Sequence, residues 1–174
     1  MTQNDIKKIV EDLIQTFLNA GRVSLDLRKK GLIKEKKSDN TPVSNGDLEV
    51  NKILIKKISE LTPNIPIVSE ETSENKSRDN LEDFWLIDPI DGTYDYINDL
   101  DEFTINAGLI IKKKPVAGLI YAPAKNRMFY SYGDDLSFEL IDGKPIKLDH
   151  SKNFDKNEIK FVSYSNKIKP EISE

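Results

Sequence analysis

The chain has 174 residues, 32% of them charged and 37% hydrophobic, and a formal net charge of −4 at pH 7. This length suits one well-packed domain, and the mixture of 26 basic with 30 acidic residues predicts no surface for a nucleic-acid polymer. The chain has no cysteine, which excludes disulfides and zinc–thiolate sites. It has one histidine, His150, which disfavours a Ser-His-Asp site. Charges scattered through the first twelve residues predict neither a signal peptide nor stable membrane insertion, so we expect a cytoplasmic protein.

Two amphipathic helices are predicted in the first third of the chain. A capping-box pattern at Thr2 to Asp5 precedes apolar residues that recur every three or four positions as far as about Arg28. A polar loop is predicted at 34–40, and a second helix begins near Ser44. Asp47 follows Ser44 by three residues, which is the spacing of the acidic member of a capping box.

Strands dominate the rest of the chain. Ile65 to Ser69 and Phe84 to Ile87 are short apolar strands on either side of a polar surface loop, Thr72 to Asp83. The order of helices first and strands later favours an α+β fold, with two helices packed on one face of an antiparallel sheet. The further predicted strands are Phe103 to Ile111, Val116 to Tyr121, Arg127 to Tyr132, Leu136 to Ile141, Pro145 to Leu148 and Ile159 to Tyr164.

The candidate site lies where two short strands end. Glu70 follows the first, and Asp88 follows the second, which we expect to stop there because a proline comes next. Asp91 comes three residues later, and Gly92 and Thr93 suit a tight turn into a helix at which a phosphate can approach the backbone. If the two strands are neighbours, three carboxylates converge. Such a cluster is costly without a cation and suits magnesium, which prefers oxygen ligands.

Structural roles compete with this interpretation. Glu70 and its neighbour Glu71 suit a solvated acidic surface pair. Thr93 suits an N-cap, and Asp47 suits the capping box alone. Three aromatic residues near the turn can line a ring pocket or belong to the core, and the core is the commoner place for aromatics beside strands: Tyr94, Tyr96 and Phe103.

Three blocks of the sequence, in order and spacing, resemble the signature blocks of the inositol monophosphatase superfamily of magnesium-dependent, lithium-sensitive phosphatases. They are Thr41 to Asp47, Ile67 to Glu71 and Trp85 to Thr93. Glu102 to Asn106 and Gly118 to Pro123 are more similar to the 3′(2′),5′-bisphosphate nucleotidase branch than to the inositol-phosphate branch. Tyr94 departs from that branch, whose members commonly have lysine after the threonine.

The resemblance implies a cofactor and its ligands. Two or three Mg²⁺ ions are expected, with Li⁺ inhibitory. Their protein ligands would be the side chains of Glu70, Asp88 and Asp91 and the backbone carbonyl of Ile90.

The resemblance also implies how the ester is held and attacked. Glu70, Gly92 and Thr93 would bind the substrate phosphate, and Asp47 with the Thr93 hydroxyl would orient the attacking water. The reaction would be in-line hydrolysis without a phospho-enzyme. The expected substrate is adenosine 3′,5′-bisphosphate, whose 3′-phosphate is removed to give AMP in sulfate assimilation; the alternative within the family is inositol 1-phosphate.

The same resemblance implies a domain organisation. Residues 1–158 would form the N-terminal α+β domain of the αβαβα sugar-phosphatase fold, and 159–174 would begin a C-terminal α/β domain that is otherwise missing. The alternative of a different class is therefore a catalytically incomplete fragment or metal-binding module. Surface normally covered by that domain makes a homodimer a further expectation.

Overall fold

The computed structural model describes residues 1–36, 42–71 and 81–149. These residues form three helices and nine strands, which follow one another along the chain in an α+β order. The helices are α1 (Gln3–Lys30), α2 (Asn45–Leu61) and α3 (Thr93–Ile97), and the strands are β1 (Lys34–Lys36), β2 (Pro42–Ser44), β3 (Ile67–Ser69), β4 (Phe84–Asp91), β5 (Thr104–Ile111), β6 (Lys114–Ala122), β7 (Arg127–Ser131), β8 (Ser137–Ile141) and β9 (Lys144–Lys147).

Both predicted helices are confirmed, with the capping boxes that the sequence indicates. The Thr2 amide donates to Asp5 Oδ2 at 2.8 Å, and the Asp5 amide donates to Thr2 Oγ1 at 3.2 Å. Helix α1 ends at Lys30, and the three basic residues of its last turn, Arg28, Lys29 and Lys30, lie at the negative end of the helix dipole. Ser44 and Asp47 cap α2 in the same way.

The main sheet has seven strands in the order β3-β4-β5-β6-β7-β8-β9. All neighbouring pairs are antiparallel except β3 and β4, which are parallel, so the expectation of a purely antiparallel sheet is wrong at this edge. A parallel pair needs a long crossover, and residues 70–83 between β3 and β4 provide one. The predicted α+β class with helices on the sheet is confirmed.

The hydrophobic core lies between the two long helices and one face of the sheet. Helix α1 packs on β6, and α2 packs on β4. The Trp85 indole is fully buried in β4, and its Nε1 donates to Thr62 Oγ1 at 3.0 Å, so its one polar atom is satisfied. The other large, fully buried side chains of this core are Tyr96, Phe17, Phe103, Leu13, Leu54, Ile58, Ile87, Ile90, Ile105, Leu109 and Leu119.

The structure corrects the predicted bounds of two loops. Lys34–Lys36 is not loop but strand β1, which pairs antiparallel with β2; residues 37–41 lie outside the described part of the chain. The second loop, at 112–115 between the predicted strands Phe103 to Ile111 and Val116 to Tyr121, contains only Lys112 and Lys113, both with positive φ, because β6 begins at Lys114. Backbone pairing decides both cases, because short polar segments can join a ladder that their composition does not predict.

Strand β4 also differs from the prediction, since it continues through Asp88 to Asp91 instead of stopping before the proline. Pro89 is tolerated because its fixed φ suits an extended chain and the register with β5 shifts between Asp88 and Asp91. The strand therefore carries both aspartates itself.

Some predictions fall outside the described residues, namely the surroundings of His150, the strand Ile159 to Tyr164, the loop at 72–80 and the domain boundary after 158. None of the helices in the described ranges combines the length and the apolar character that crossing a membrane requires.

Candidate active site

Strands β3 and β4 bring two acidic side chains to the same end of the sheet. Ser69 pairs with Ile87 in the parallel register, and the Glu70 amide donates to the Ile87 carbonyl at 3.1 Å. Glu70 therefore lies beside Asp88, the next residue of β4. The expectation that these two strands are neighbours is confirmed, and with it the convergence of Glu70 and Asp88.

The Asp88 carboxyl is crowded by like charges. Burial, followed by the charges of Glu70 and Asp91, raises the pKa of Asp88 to about 7. A hydrogen bond between Asp88 and Glu70 contributes to the same shift, and two carboxyl groups can share such a bond only when one of them holds a proton. Near neutral pH, two negative charges on this pair repel each other strongly, and either a proton or a bound cation relieves the repulsion.

Asn106 belongs to this cluster, although sequence reasoning did not assign it a role. It lies opposite Asp88 in β5, and its Nδ2 donates to Asp91 Oδ2 at 3.2 Å. With the amide turned to Asp91, Asn106 Oδ1 is buried without a hydrogen-bond partner among the described residues, and so is Asp88 Oδ1. An amide side chain inside an otherwise apolar strand, between Ile105 and Ala107, was the sequence signal that could have found it.

The oxygen atoms of this cluster are ligands of the kind that a hard divalent cation prefers. Their positions, however, do not yet form a complete metal-binding site. Two residues that are opposite each other in β4 and β5, Asp88 and Asn106, each have a buried oxygen without a partner among the described residues, and buried acceptors of this kind are rare unless something binds them. In residues 1–36, 42–71 and 81–149, however, no three acidic or histidine side chains are grouped so that they could hold a metal ion. The predicted ligands Glu70, Asp88 and Asp91 thus interact with one another without forming a closed triad.

Asp47 is fully buried and fully bonded. Its Oδ2 accepts from the Ser44 amide at 2.8 Å and the Ser44 hydroxyl at 2.6 Å, while Oδ1 lies 3.2 Å from Thr93 Oγ1. Thr93 Oγ1 is also 3.0 Å from the Ile90 carbonyl oxygen, and its one hydrogen can be donated to only one of the two. The capping role and the contact with Thr93 therefore coexist in Asp47.

The turn after β4 depends on a glycine. Gly92 has φ +90°, and a Cβ there would lie 2.6 Å from the Glu102 carbonyl oxygen, so both the conformation and the space require glycine. Gly92 is also the N-cap of α3, which makes Thr93 the first helical residue and the prediction of Thr93 as N-cap wrong. Strand β4 ends at Asp91 and Gly92 alone makes the turn, so the helix starts at Thr93, one residue earlier than an N-cap at Thr93 would give.

The aromatic residues near the turn divide between core and surface. Tyr96 and Phe103 are buried, with ring centroids 4.9 Å apart, and Tyr96 Oη donates to the Ser24 carbonyl at 2.7 Å. Gly46 leaves room for Tyr96, since a Cβ there would overlap its ring and hydroxyl. This close approach holds the start of α2 against α3. Tyr94 is 65% exposed, so a pocket built from all three aromatics is wrong.

Together, the fold and these contacts define a helix-backed sheet domain with an acidic, oxygen-rich site at the end of a parallel strand pair, beside a glycine turn. The sequence profile of the inositol monophosphatase family matches residues 5–172. The chain belongs to that family, as the resemblance of its three sequence blocks predicted.

Known proteins match this chain over about half of their own length. The 3′(2′),5′-bisphosphate nucleotidase CysQ of Haemophilus influenzae is 39% identical over 129 residues, 73% of this chain and 46% of the relative. The crystal structure of the extragenic suppressor protein suhB from Bartonella henselae has TM-score 0.67 and 23% identity, covering 76% of this chain and 52% of that one. An IMPase/NADP phosphatase complexed with Mg²⁺ and phosphate has TM-score 0.66 and 18% identity, covering 80% and 52%. At these identities the two structures support the fold alone.

Proposed function

We propose that this chain provides the metal- and phosphate-binding part of a magnesium-dependent phosphomonoesterase, with adenosine 3′,5′-bisphosphate as the favoured substrate. The observation that carries the proposal is the Asp88–Glu70 pair, with the pKa of Asp88 raised to about 7 and its Oδ1 buried without a partner among the described residues. The relative at 39% identity, a bisphosphate nucleotidase, supports the choice of substrate.

The metal ligands in this proposal are the carboxylates of Glu70, Asp88 and Asp91 and the carbonyl of Ile90. Magnesium bound there would lower the pKa of a water molecule and offset charge on the phosphoryl oxygens. The proton that Asp88 shares with Glu70 must leave before both carboxylates can act as ligands, because only the deprotonated oxygens bind a metal well. Cation binding is therefore expected to strengthen as the pH rises through about 7.

Asp47 and Thr93 would orient the attacking water. Ser44 already donates two hydrogen bonds to Asp47 Oδ2, so Oδ1 is left to accept from Thr93 Oγ1. When the Thr93 hydroxyl donates to Asp47, its oxygen can still accept a hydrogen bond from water. The water oxygen then forms the new bond to phosphorus, and the bond from phosphorus to the ester oxygen breaks with its electron pair on that oxygen. The water gives up one proton to solvent and the leaving oxygen takes one proton from solvent, so that one water molecule is divided between the two products.

The Gly92–Thr93 turn would hold the phosphate. Gly92 brings backbone rather than side chain to the surface of the site, and backbone amides at the start of a helical turn are suited to an anion. Glu70 would take part in binding the same phosphate.

The experiment is a side-by-side turnover assay of the chain with adenosine 3′,5′-bisphosphate and inositol 1-phosphate, with magnesium or with excess EDTA. We expect release of phosphate from the bisphosphate, loss of release in EDTA, and inhibition by lithium. Phosphate release that persists in EDTA would contradict the metal assignment. Faster release from inositol 1-phosphate would move the substrate to the other branch.

A second candidate is a metal-binding module without turnover, which the Asp88–Glu70 pair also supports, because a cluster that attracts a cation does not by itself require hydrolysis. Calorimetry with magnesium beside the release assay separates the two functions. Binding of magnesium without release of phosphate would support the module. A cytoplasmic location and a homodimer stay predictions.

A further inference from the structure

A cavity of about 340 Å³ adjoins the candidate site. Asp91, Gly92, Glu102, Thr104 and Lys125 are among the residues that line it. The volume is at the lower end of small-molecule sites. It therefore has room for part of an organic ester beyond the phosphate that is placed at Gly92 and Thr93.

Sheet pairing explains why Lys125 reaches this cavity. Thr104 at the start of β5 pairs with Asp91, and Ile105 pairs with Tyr121 near the end of β6. The 3-10 turn Pro123–Lys125 follows β6 directly, so it lies next to the segment that enters β5. Lys125 Nζ meets Glu102 there at 2.6 Å.

The cavity has two walls, the Pro123–Lys125 turn and the segment 101–104, and α1 contacts both. Helix α1 packs against the Pro123–Lys125 turn. On the other wall, Arg28 of α1 donates to the Leu100 carbonyl at 2.7 Å and to Asp101 Oδ1 at 3.0 Å, and its side chain is only 13% exposed. The guanidinium also lies over the Phe103 ring, 5.3 Å from the centroid. A ligand that binds between these walls would therefore find a site that is already formed.

The charges of the lining residues distinguish Lys125 from its neighbours. Of the described residues that line the cavity, Lys125 is the only cation, against Asp91, Asp101 and Glu102. Asp101 is neutralised by Arg28, and Asp91 is bonded to Asn106. In the Lys125–Glu102 ion pair, a ligand anion can replace Glu102 as the partner of Lys125. The two side chains are 44% and 64% exposed, and ion pairs on the surface are weak.

We propose that Lys125 is a specificity-determining residue that binds a second anionic group, a phosphate or a sulfate, on an ester whose first phosphate lies at Gly92 and Thr93. Glu102 holds the ammonium in place until the second anion displaces it. The assignment rests on the proposed function of the neighbouring site. It predicts that the chain prefers doubly phosphorylated esters to otherwise identical single ones.

The test is calorimetry of the full chain with magnesium, using inorganic phosphate, 3′-AMP and adenosine 3′,5′-bisphosphate as probes. The deciding quantity is the ratio of the dissociation constants of 3′-AMP and the bisphosphate. Lys125→Gln should lower this ratio about tenfold, the loss expected for one charge-assisted contact near the surface, with phosphate binding unchanged. Lys125→Arg should retain most of the preference because it keeps the charge. Lys147→Gln, which removes an exposed lysine of β9, is the matched control and should retain all of it.

Two results would overturn the role of Lys125 while the neighbouring site stands. One is an unchanged ratio in Lys125→Gln when wild type binds inorganic phosphate with magnesium. The other is an equal fall of the ratio in Lys147→Gln, which would show a general effect of net charge. If wild type binds no inorganic phosphate with magnesium, the proposed function fails, and the role of Lys125 fails with it. Thermal melting of each variant shows that a change in binding is not a loss of fold.

Discussion

Asp47 is fully buried and Asp88 is half-buried, and the surroundings of these two acidic side chains are opposite. Asp47 has donors at both oxygens, from Ser44 and from Thr93. Asp88 has carboxylates as neighbours and one oxygen without a partner among the described residues. A buried carboxylate surrounded by hydrogen-bond donors therefore stabilises the fold, whereas one surrounded by carboxylates is stable only with a proton or a bound cation.

The largest expected effect comes from removing the charge of Asp88. Asp88→Asn should weaken magnesium binding on the order of 100-fold, since it deletes a charged ligand worth a few kcal/mol. Calorimetry with magnesium measures the loss. Asp134→Asn, the same change on an exposed loop residue, should bind magnesium like wild type. Equal binding by Asp88→Asn and wild type would remove Asp88 from the site.

Substitution of Asp47 should mainly lower the stability of the fold, and it should do so without any ligand present. Asp47→Ala removes the α2 cap and leaves the Ser44 and Thr93 donors without their acceptor, so we expect a loss of about 2 kcal/mol in the free energy of unfolding. Urea denaturation without magnesium measures it. A variant as stable as wild type would mean that this contact is dispensable for the fold.

The pH dependence of stability sharpens the contrast further. The pKa of Asp88 is about 7 in the folded chain against 3.8 for the free side chain, so between these values the folded state holds a proton that the unfolded state has lost. The free energy of unfolding should therefore fall as the pH rises from 4 to 7 and level off above 7. Because Asp88 is only half-buried, we expect about 1–2 kcal/mol rather than the full shift.

Urea titrations at pH 5 and pH 8 without added metal test this dependence. Asp88→Asn should flatten the pH profile, and magnesium should restore stability at pH 8 because it favours the deprotonated carboxylates. A pH profile that is the same in wild type and Asp88→Asn would show that another group is responsible.

The smallest effect is expected at the exposed capping box of α1. Asp5→Ala should cost about 0.5–1 kcal/mol, because the cap is solvated and water can replace the lost hydrogen bond at the Thr2 amide. The same measurement made on Asp47→Ala provides the comparison. If both variants lost the same amount, burial and the contact with Thr93 would add nothing at Asp47.

Local patterns in the sequence were sufficient for much of the fold. The capping boxes at Thr2 and Ser44 set the starts of both helices, because a cap is completed within four residues. The strand prediction failed at Pro89, where the neighbouring strand β5 accommodates a proline through a register shift. It also missed β1, whose pairing partner β2 lies beyond a polar stretch.

The candidate site shows the same division. The sequence by itself determined the acidic residues after two short strands, the glycine at a turn with positive φ, and membership of a phosphatase family, because each is written in adjacent residues. Only the tertiary structure decided that β3 and β4 run parallel, that Asn106 joins Asp88 and Asp91, and that Lys125 lies beside Glu102. These contacts join residues far apart in the chain, and their distances depend on strand pairing and helix packing, which no local pattern specifies.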